Sequence, residues 1–268
     1  MRLTNLGSVG DTFNATENPY GSILNAVQAG SGWMEGTTGT LGTGAVAVAA
    51  WSARAFALGE PCITAGGNLY VAVVAGTASA SPVHTSGNAA DGTVVWRFVA
   101  GGAVAGLATG WTCARQTGDG TAAVCKIART DGVPGEWQVV MGYGATSTTG
   151  HRLITASSAT GFAVGGQYVL DAEFVHHSST NLNCIGGQII VDGTSGSKQA
   201  QWGLSSTSST YYHRDNTADP ALPLVMETPP KWLTVSASTA LRVGLHVGHR
   251  ASGAVVAFFG RTRLRRVA

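Results

Sequence analysis

Asp91-Gly92-Thr93-Val94-Val95-Trp96-Arg97-Phe98-Val99 decides the fold class of this chain. Asp-Gly is a hairpin-turn dipeptide, and the residues after it alternate between two faces. Val94, Trp96 and Phe98 fall on one face, and Val95, Arg97 and Val99 on the other. The same punctuation lies upstream, where Gly66-Gly67-Asn68 turns into Leu69-Tyr70-Val71-Ala72-Val73-Val74. Before that, Gly59-Glu60-Pro61 marks a turn, Cys62-Ile63-Thr64 a short strand, and Trp51 opens the unit. Residues 51–103 therefore read as a small β module closed by a Gly/Ala linker over 101–106.

Strand follows strand from there to the C-terminus. The patterns predict strands over 122–128, 137–143, 151–156, 167–175, 184–191, 231–236, 241–247 and 254–259, several of them separated by Asp-Gly turns. So many short strands in residues 104–268 predict a two-sheet sandwich of jelly-roll type. A polar, proline-bearing stretch from Ser205 to Pro230 reads as a long loop, and loops of that length are usually functional or packed on a partner. Residues 1–50 read as an N-terminal arm. Within it Asn18, Pro19 and Gly30 bracket one short helix whose face would carry Ile23, Leu24 and Val27 as assembly residues. A helix that short needs something to pack on. The glycine-rich run from Gly36 to Gly44 reads as an extended linker leading into a strand. The fold class is thus all-β, with an arm carrying one helix, a small β module and a C-terminal sandwich.

Composition excludes several functions. Charged residues are 11% of the chain, under half the usual quarter, yet 44% are hydrophobic, so the low charge does not signal disorder. A net charge of +2 gives no reason to expect nucleic acid as a partner. No apolar run approaches ~20 residues, so no membrane-inserted span is expected. The opening MRLTNLGSVGDTFN lacks the apolar core of a signal peptide, and the expectation is synthesis in a cytoplasm.

No phosphate loop and no G-x-S-x-G nucleophile elbow is present. Asp171 and Glu173 share a strand face, as a pair of glycosidase carboxylates would, but a solvated strand face is the simpler reading. No catalytic residue and no cofactor is assigned. The cysteines Cys62, Cys113, Cys125 and Cys184 form no C-x-x-C pair and have no histidine at ligand spacing, so no metal site is expected. Buried thiols are the simple reading; a hairpin bringing Cys113 to Cys125 is the alternative. His176 and His177 are adjacent, so a strand would send them to opposite faces, and His246 and His249 flank Gly248 in a turn or strand end. Arg261, Arg263 and Arg265 alternate near the C-terminus and suit an acidic partner or a solvated edge.

The order Trp51, Gly59, Gly66-Gly67-Asn68-Leu69-Tyr70, Ser81-Pro82-Val83-His84-Thr85-Ser86-Gly87, Asp91-Gly92-Thr93-Val94-Val95-Trp96 resembles a small module of bacteriophage tail and appendage proteins. Its layout also resembles small chitin-binding modules, and it spans roughly 50 of the 268 residues. Asp131-Gly132-Val133-Pro134-Gly135-Glu136-Trp137-Gln138, Gly166-Gln167-Tyr168 and Val255–Arg261 resemble, in architecture more than in sequence, terminal sandwiches of phage fibres and carbohydrate-binding modules. The resemblance implies a virion structural protein, a head or tail appendage made in the host cytoplasm. It implies a homotrimer with other virion proteins as partners, contacting host surface glycans and catalysing nothing. A carbohydrate-binding accessory module outside any virus is the alternative, and a polysaccharide-depolymerising tailspike a further one. On this reading Trp51, Tyr70 and Trp96 are either a platform on which a sugar ring stacks or the core of a unit with little else to bury. His84 either touches the sugar or staples its loop. Tyr211 and Tyr212 in the long loop have the composition of a recognition tip.

Overall fold

A computed structural model describes residues 39–108, 110–117, 120–128 and 136–144, and from residue 150 onward eight strands. The expected helix with Ile23, Leu24 and Val27 lies outside the described residues, as do Tyr211 and Tyr212.

Every element among the described residues is a strand. In the first part of the chain these are β1 (Thr40–Leu41), β2 (Ala45–Ala47), β3 (Ala55–Phe56), β4 (Pro61–Ile63), β5 (Leu69–Val74), β6 (Gly76–Thr77), β7 (Asn88–Asp91), β8 (Val94–Ala100) and β9 (Ala103–Ala105). The sandwich proper follows with β10 (Trp111–Thr117), β11 (Thr121–Ala128), β12 (Glu136–Tyr143), β13 (Gly150–Ala156), β14 (Gln167–His176), β15 (Leu182–Val191) and β16 (Lys198–Ser205). It closes with β17 (Leu224–Met226), β18 (Leu233–Thr234), β19 (Leu241–His249) and β20 (Val255–Arg266). Strands β10 and β16 escaped the sequence patterns, and β17 interrupts the stretch read as one loop.

Two large sheets result. One has six strands in the order β1-β10-β13-β19-β15-β16; the other runs β17-β14-β20-β12-β11-β2, with β18 on β14 and β9 on β11. The chain changes sheet repeatedly between β10 and β20, which makes the C-terminal part a β-sandwich of the expected kind. Its pairs are antiparallel except where the arm joins, β1 running parallel to β10 and β2 parallel to β11.

That joint departs from the linker reading. Residues 40–47 belong to the sandwich: β1 extends one sheet and, four residues later, β2 extends the other. The glycines that looked like linker composition are there because backbones meet. A Cβ on Gly39 would collide with the carbonyl oxygen of Trp111 and sit 2.5 Å from that of Ala108. One on Gly42 would sit 2.7 Å from the Ala114 Cβ.

The module over 51–100 has a four-stranded antiparallel sheet, β4-β5-β8-β7, and the two-stranded pair β3-β6. Its central strand β5 is buried on both faces. Tyr70 and Ala72 join Phe56, Cys62, Ala78, Val94 and Trp96 in a small core of the module's own. Leu69 and Val71, with Val99, pack instead into the core formed by Ala123, Cys125 and Ile127 of β11, Trp137, Val139 and Met141 of β12, and Val256 and Phe258 of β20. The module therefore lies on one face of the eight-stranded sheet and shares its core. At about 1.5–3 kcal/mol for each fully buried side chain of this size, Leu69, Val71 and Val99 alone fasten it firmly.

Candidate functional site

Burial separates the two readings of the module's aromatics. Tyr70 and Trp96 are each 0% exposed, and Trp96 meets Phe56 edge to face at 4.7 Å between ring centroids. Neither offers a ring to a ligand; both are core, and the stacking platform expected of them is not formed. Trp51 is half-buried at the rim of the same core.

His84 is the staple. The Tyr70 hydroxyl donates to the His84 carbonyl at 2.5 Å, and the His84 ring lies against the Tyr70 ring at 5.0 Å. Burial, opposed in part by the Asn68 amide, raises the Tyr70 phenol above its ordinary pKa, so it stays a donor. At the other end of the loop the Asp91 carboxylate accepts from the Ser79 N–H at 3.1 Å, the Ala80 N–H at 2.9 Å and the Ser79 hydroxyl at 3.0 Å. Desolvation pushes Asp91 up, but these donors outweigh it and hold the carboxyl below its usual range. The loop between these anchors carries Val83, 85% exposed.

Among the described residues two ion pairs are formed. The Arg54 guanidinium bonds Glu60 at 2.7 Å and covers the Phe56 ring at 3.8 Å. Glu60 also accepts from the Ala57 N–H at 2.9 Å. Lys126 lies 3.4 Å from Glu136, and the Gln138 side-chain oxygen accepts from the Ala108 N–H at 3.4 Å, which places a buried polar group inside the sandwich. Asp171 has Arg263 of β20 as its register partner and Glu173 has Val225 of β17, and the β14–β20 register shifts between Ala172 and Phe174. Among the described residues no three His, Cys, Asp or Glu side chains form a metal-holding group.

The thiols are inert where they are described. Cys62, Cys113 and Cys125 are buried and form no disulfide. Burial pushes Cys62 up to about 12 and raises Cys125 further still. The hairpin pairing of Cys113 with Cys125 does not occur: Cys113 is on β10 of the six-stranded sheet, and Cys125 on β11 packs toward the module.

The six-stranded sheet has one face turned away from the sandwich interior. On β10, Trp111 and Cys113 are buried while Thr112 is exposed, so Thr112 and Ala114 mark the outer face. Register carries that face across the sheet. One row runs Thr112, Thr155, Gly244, Gln188, Gln201, and the next Ala114, Leu153, His246, Gly186, Gly203. A third runs Thr117, His151, Gly248, Cys184, Ser205. Of the two intervening rows, one is Cys113, Ile154, Leu245, Gly187, Trp202, apolar throughout, and the other is Arg115, Arg152, Val247, Ile185, Leu204, with two arginines at its β10–β13 end and Arg115 exposed. These three rows hold no carboxylate and four glycines, with uncharged hydrogen-bonding residues around them, and the next row on the same face is Arg242, Ile190, Lys198. The alternation along each strand was legible in the sequence; the pairing that assembles the rows was not.

No family model and no curated protein matches the chain. Solved structures with partial likeness include a carbohydrate-binding module of class CBM4, at 14% identity over 59% of this chain and 95% of that one, TM-score 0.35. Another is a carbohydrate-binding module of the β-sandwich superfamily, at 7% identity over 81% and 99%, TM-score 0.40. A third is the module TmCBM61 in complex with β-1,4-galactotriose, at 9% identity over 59% and 88%, TM-score 0.30. At such scores the likeness decides nothing about this chain's ligand.

Proposed function

We propose that this protein is a non-catalytic binding protein for neutral, hydroxyl-rich polymers, that is glycans, and that it takes them on the outer face of the six-stranded sheet. The observation that supports this reading is the row Thr112, Thr155, Gly244, Gln188, Gln201 beside Ala114, Leu153, His246, Gly186, Gly203. Amides, hydroxyls and imidazole are the groups that exchange hydrogen bonds with sugar hydroxyls without a net charge on the partner. Glycines between them let a chain lie close to the backbone. On the other large sheet the module packs over β11, β12 and β20. Tyr211 and Tyr212 follow the edge strand β16 by six or seven residues and are the aromatics proposed to stack on the bound sugar.

The test is titration of neutral polysaccharides into the chain by calorimetry. At least one should bind, and the double variant Gln188→Ala, Gln201→Ala should weaken it about tenfold or more, roughly the net worth of one or two hydrogen bonds. Absence of binding across the panel refutes the reading, and release of reducing ends refutes its non-catalytic part.

A second reading sets the same binding protein on a bacteriophage particle as a trimeric appendage. The resemblance of residues 51–96 to modules of phage appendages supports it. Removing residues 1–38, which spares the β1 and β2 joint, should then abolish incorporation into particles and leave the far-ultraviolet dichroism of the remaining β fold unchanged.

A further inference from the structure

Read along the chain, the histidines and cysteines form no ligand spacing; read across the six-stranded sheet, three of them surround one glycine. Gly248 on β19 has His151 of β13 as its partner on one side and Cys184 of β15 on the other. His246 lies two residues back on β19 itself, and a two-residue step keeps it on the same face. Paired Cα atoms are about 4.5–5.5 Å apart, and two residues along a strand span about 7 Å. Three backbone positions within about 7 Å of Gly248 thus belong to two histidines and a cysteine, while Gly248 itself contributes no side chain.

Cysteine is among the most buried residue types, and Cys62, Cys113 and Cys125 follow that rule. Cys184 has a register position on the outer face, in the row with Thr117, His151 and Ser205. A cysteine on that face calls for a use. Nitrogen and sulfur donors together select zinc and its neighbours over magnesium or calcium. Three protein ligands leave the fourth tetrahedral position for water or an incoming oxygen donor.

We propose that His151, Cys184 and His246, placed around Gly248 on the outer face of the six-stranded sheet, bind one zinc(II)-class transition-metal ion. Cys184 binds as thiolate, its proton leaving to solvent, so the affinity rises with pH. The site shares His246 with the proposed glycan surface, but its test uses the metal alone, so either reading can fail without the other.

The experiment takes untagged full-length protein, stripped of metal, and titrates zinc chloride by calorimetry. Cobalt(II) substitution reports a thiolate ligand through its charge-transfer band. One equivalent should bind. Each of His151→Gln, Cys184→Ser and His246→Gln should weaken binding by more than the roughly 10- to 100-fold that loss of an outer-shell partner produces. His84→Ala and His176→Ala should change nothing. The wild-type protein supplies a readout that needs no variant: one thiol of the metal-free native chain should react quickly with maleimide, and one equivalent of zinc should protect it. Absence of stoichiometric zinc binding overturns the proposal. So does binding that survives all three substitutions with the far-ultraviolet dichroism intact, or zinc that leaves the fast thiol unprotected.

Discussion

Trp96→Ala tests whether the module's aromatics hold the fold or hold a ligand. Trp96 is wholly buried, packs edge to face on Phe56, and shares its core with Tyr70, Cys62 and Val94. Truncating a buried tryptophan costs about 3–5 kcal/mol, of which the edge-to-face contact accounts for roughly 0.5–1.5. The same β5 strand that backs Trp96 from one side carries Leu69 and Val71 into the sandwich core on the other. The loss should therefore appear in the main unfolding transition, with no separate early melting of the module. With a urea slope of about 3 kcal/mol per molar, the midpoint should fall by roughly 1–1.7 M at unchanged slope. Urea unfolding followed by both dichroism and tryptophan fluorescence is the assay. A destabilisation under 1 kcal/mol refutes the packing argument. Two transitions in the wild type, one of them insensitive to Trp96, refute the shared core.

Other perturbations follow from the same contacts. Tyr70→Phe removes the bond to the His84 carbonyl and should cost about 1–3 kcal/mol, with faster amide exchange confined to residues 81–87. Gly39→Ala sets a Cβ against the carbonyl oxygens of Ala108 and Trp111, both backbone, and should free β1 from β10; limited proteolysis near residue 40 without loss of the sandwich is the expected result. Asp91 has a depressed pKa in the folded chain, so the stability it contributes is complete above the unfolded carboxyl pKa and is lost as pH falls through the lower folded value. Loop 79–91 should accordingly loosen below about pH 4, before the global acid transition, and Asp91→Asn should remove that step.

Much of the fold was legible because strands announce themselves locally. Asp91-Gly92 and Gly66-Gly67-Asn68 named their turns, and alternation in β8 sorted Trp96 from Arg97 correctly. What alternation could not say is how many faces are buried. β5 reads Leu-Tyr-Val-Ala-Val-Val, apolar throughout, which fits a strand covered on both sides but gives no partner. Only the structure shows that its second face belongs to β11, β12 and β20, and so that the module rests on the sandwich. The arm failed for a related reason. Glycine and threonine between residues 36 and 44 suit a solvated linker and a strand pressed against another backbone equally well, and composition does not distinguish them.

The candidate site was hidden by a deeper asymmetry. Motif reading works where ligands are neighbours in sequence, as on one helix turn or in one loop. In this sandwich His151, Cys184 and His246 come from three strands, β13, β15 and β19, brought side by side although 33 residues separate His151 from Cys184 and 62 separate Cys184 from His246. Each residue taken alone had a bland and sufficient explanation: a strand histidine, a buried thiol, a histidine near a turn. The register adds what those explanations do not use: the row that makes Cys184 a partner of Gly248 also places it beside Ser205, away from the apolar row of Trp202 and Leu245. The informative quantity in an all-β chain of low charge is therefore the residue opposite, more than the residue next in line. A one-residue slip in the β13–β19 pairing would set Gly150 or Arg152 opposite Gly248 in place of His151, and one in the β15–β19 pairing would set Asn183 or Ile185 there in place of Cys184. The hydrophobic inner rows that fix this register against slippage are thus what holds the polar outer rows together as a site.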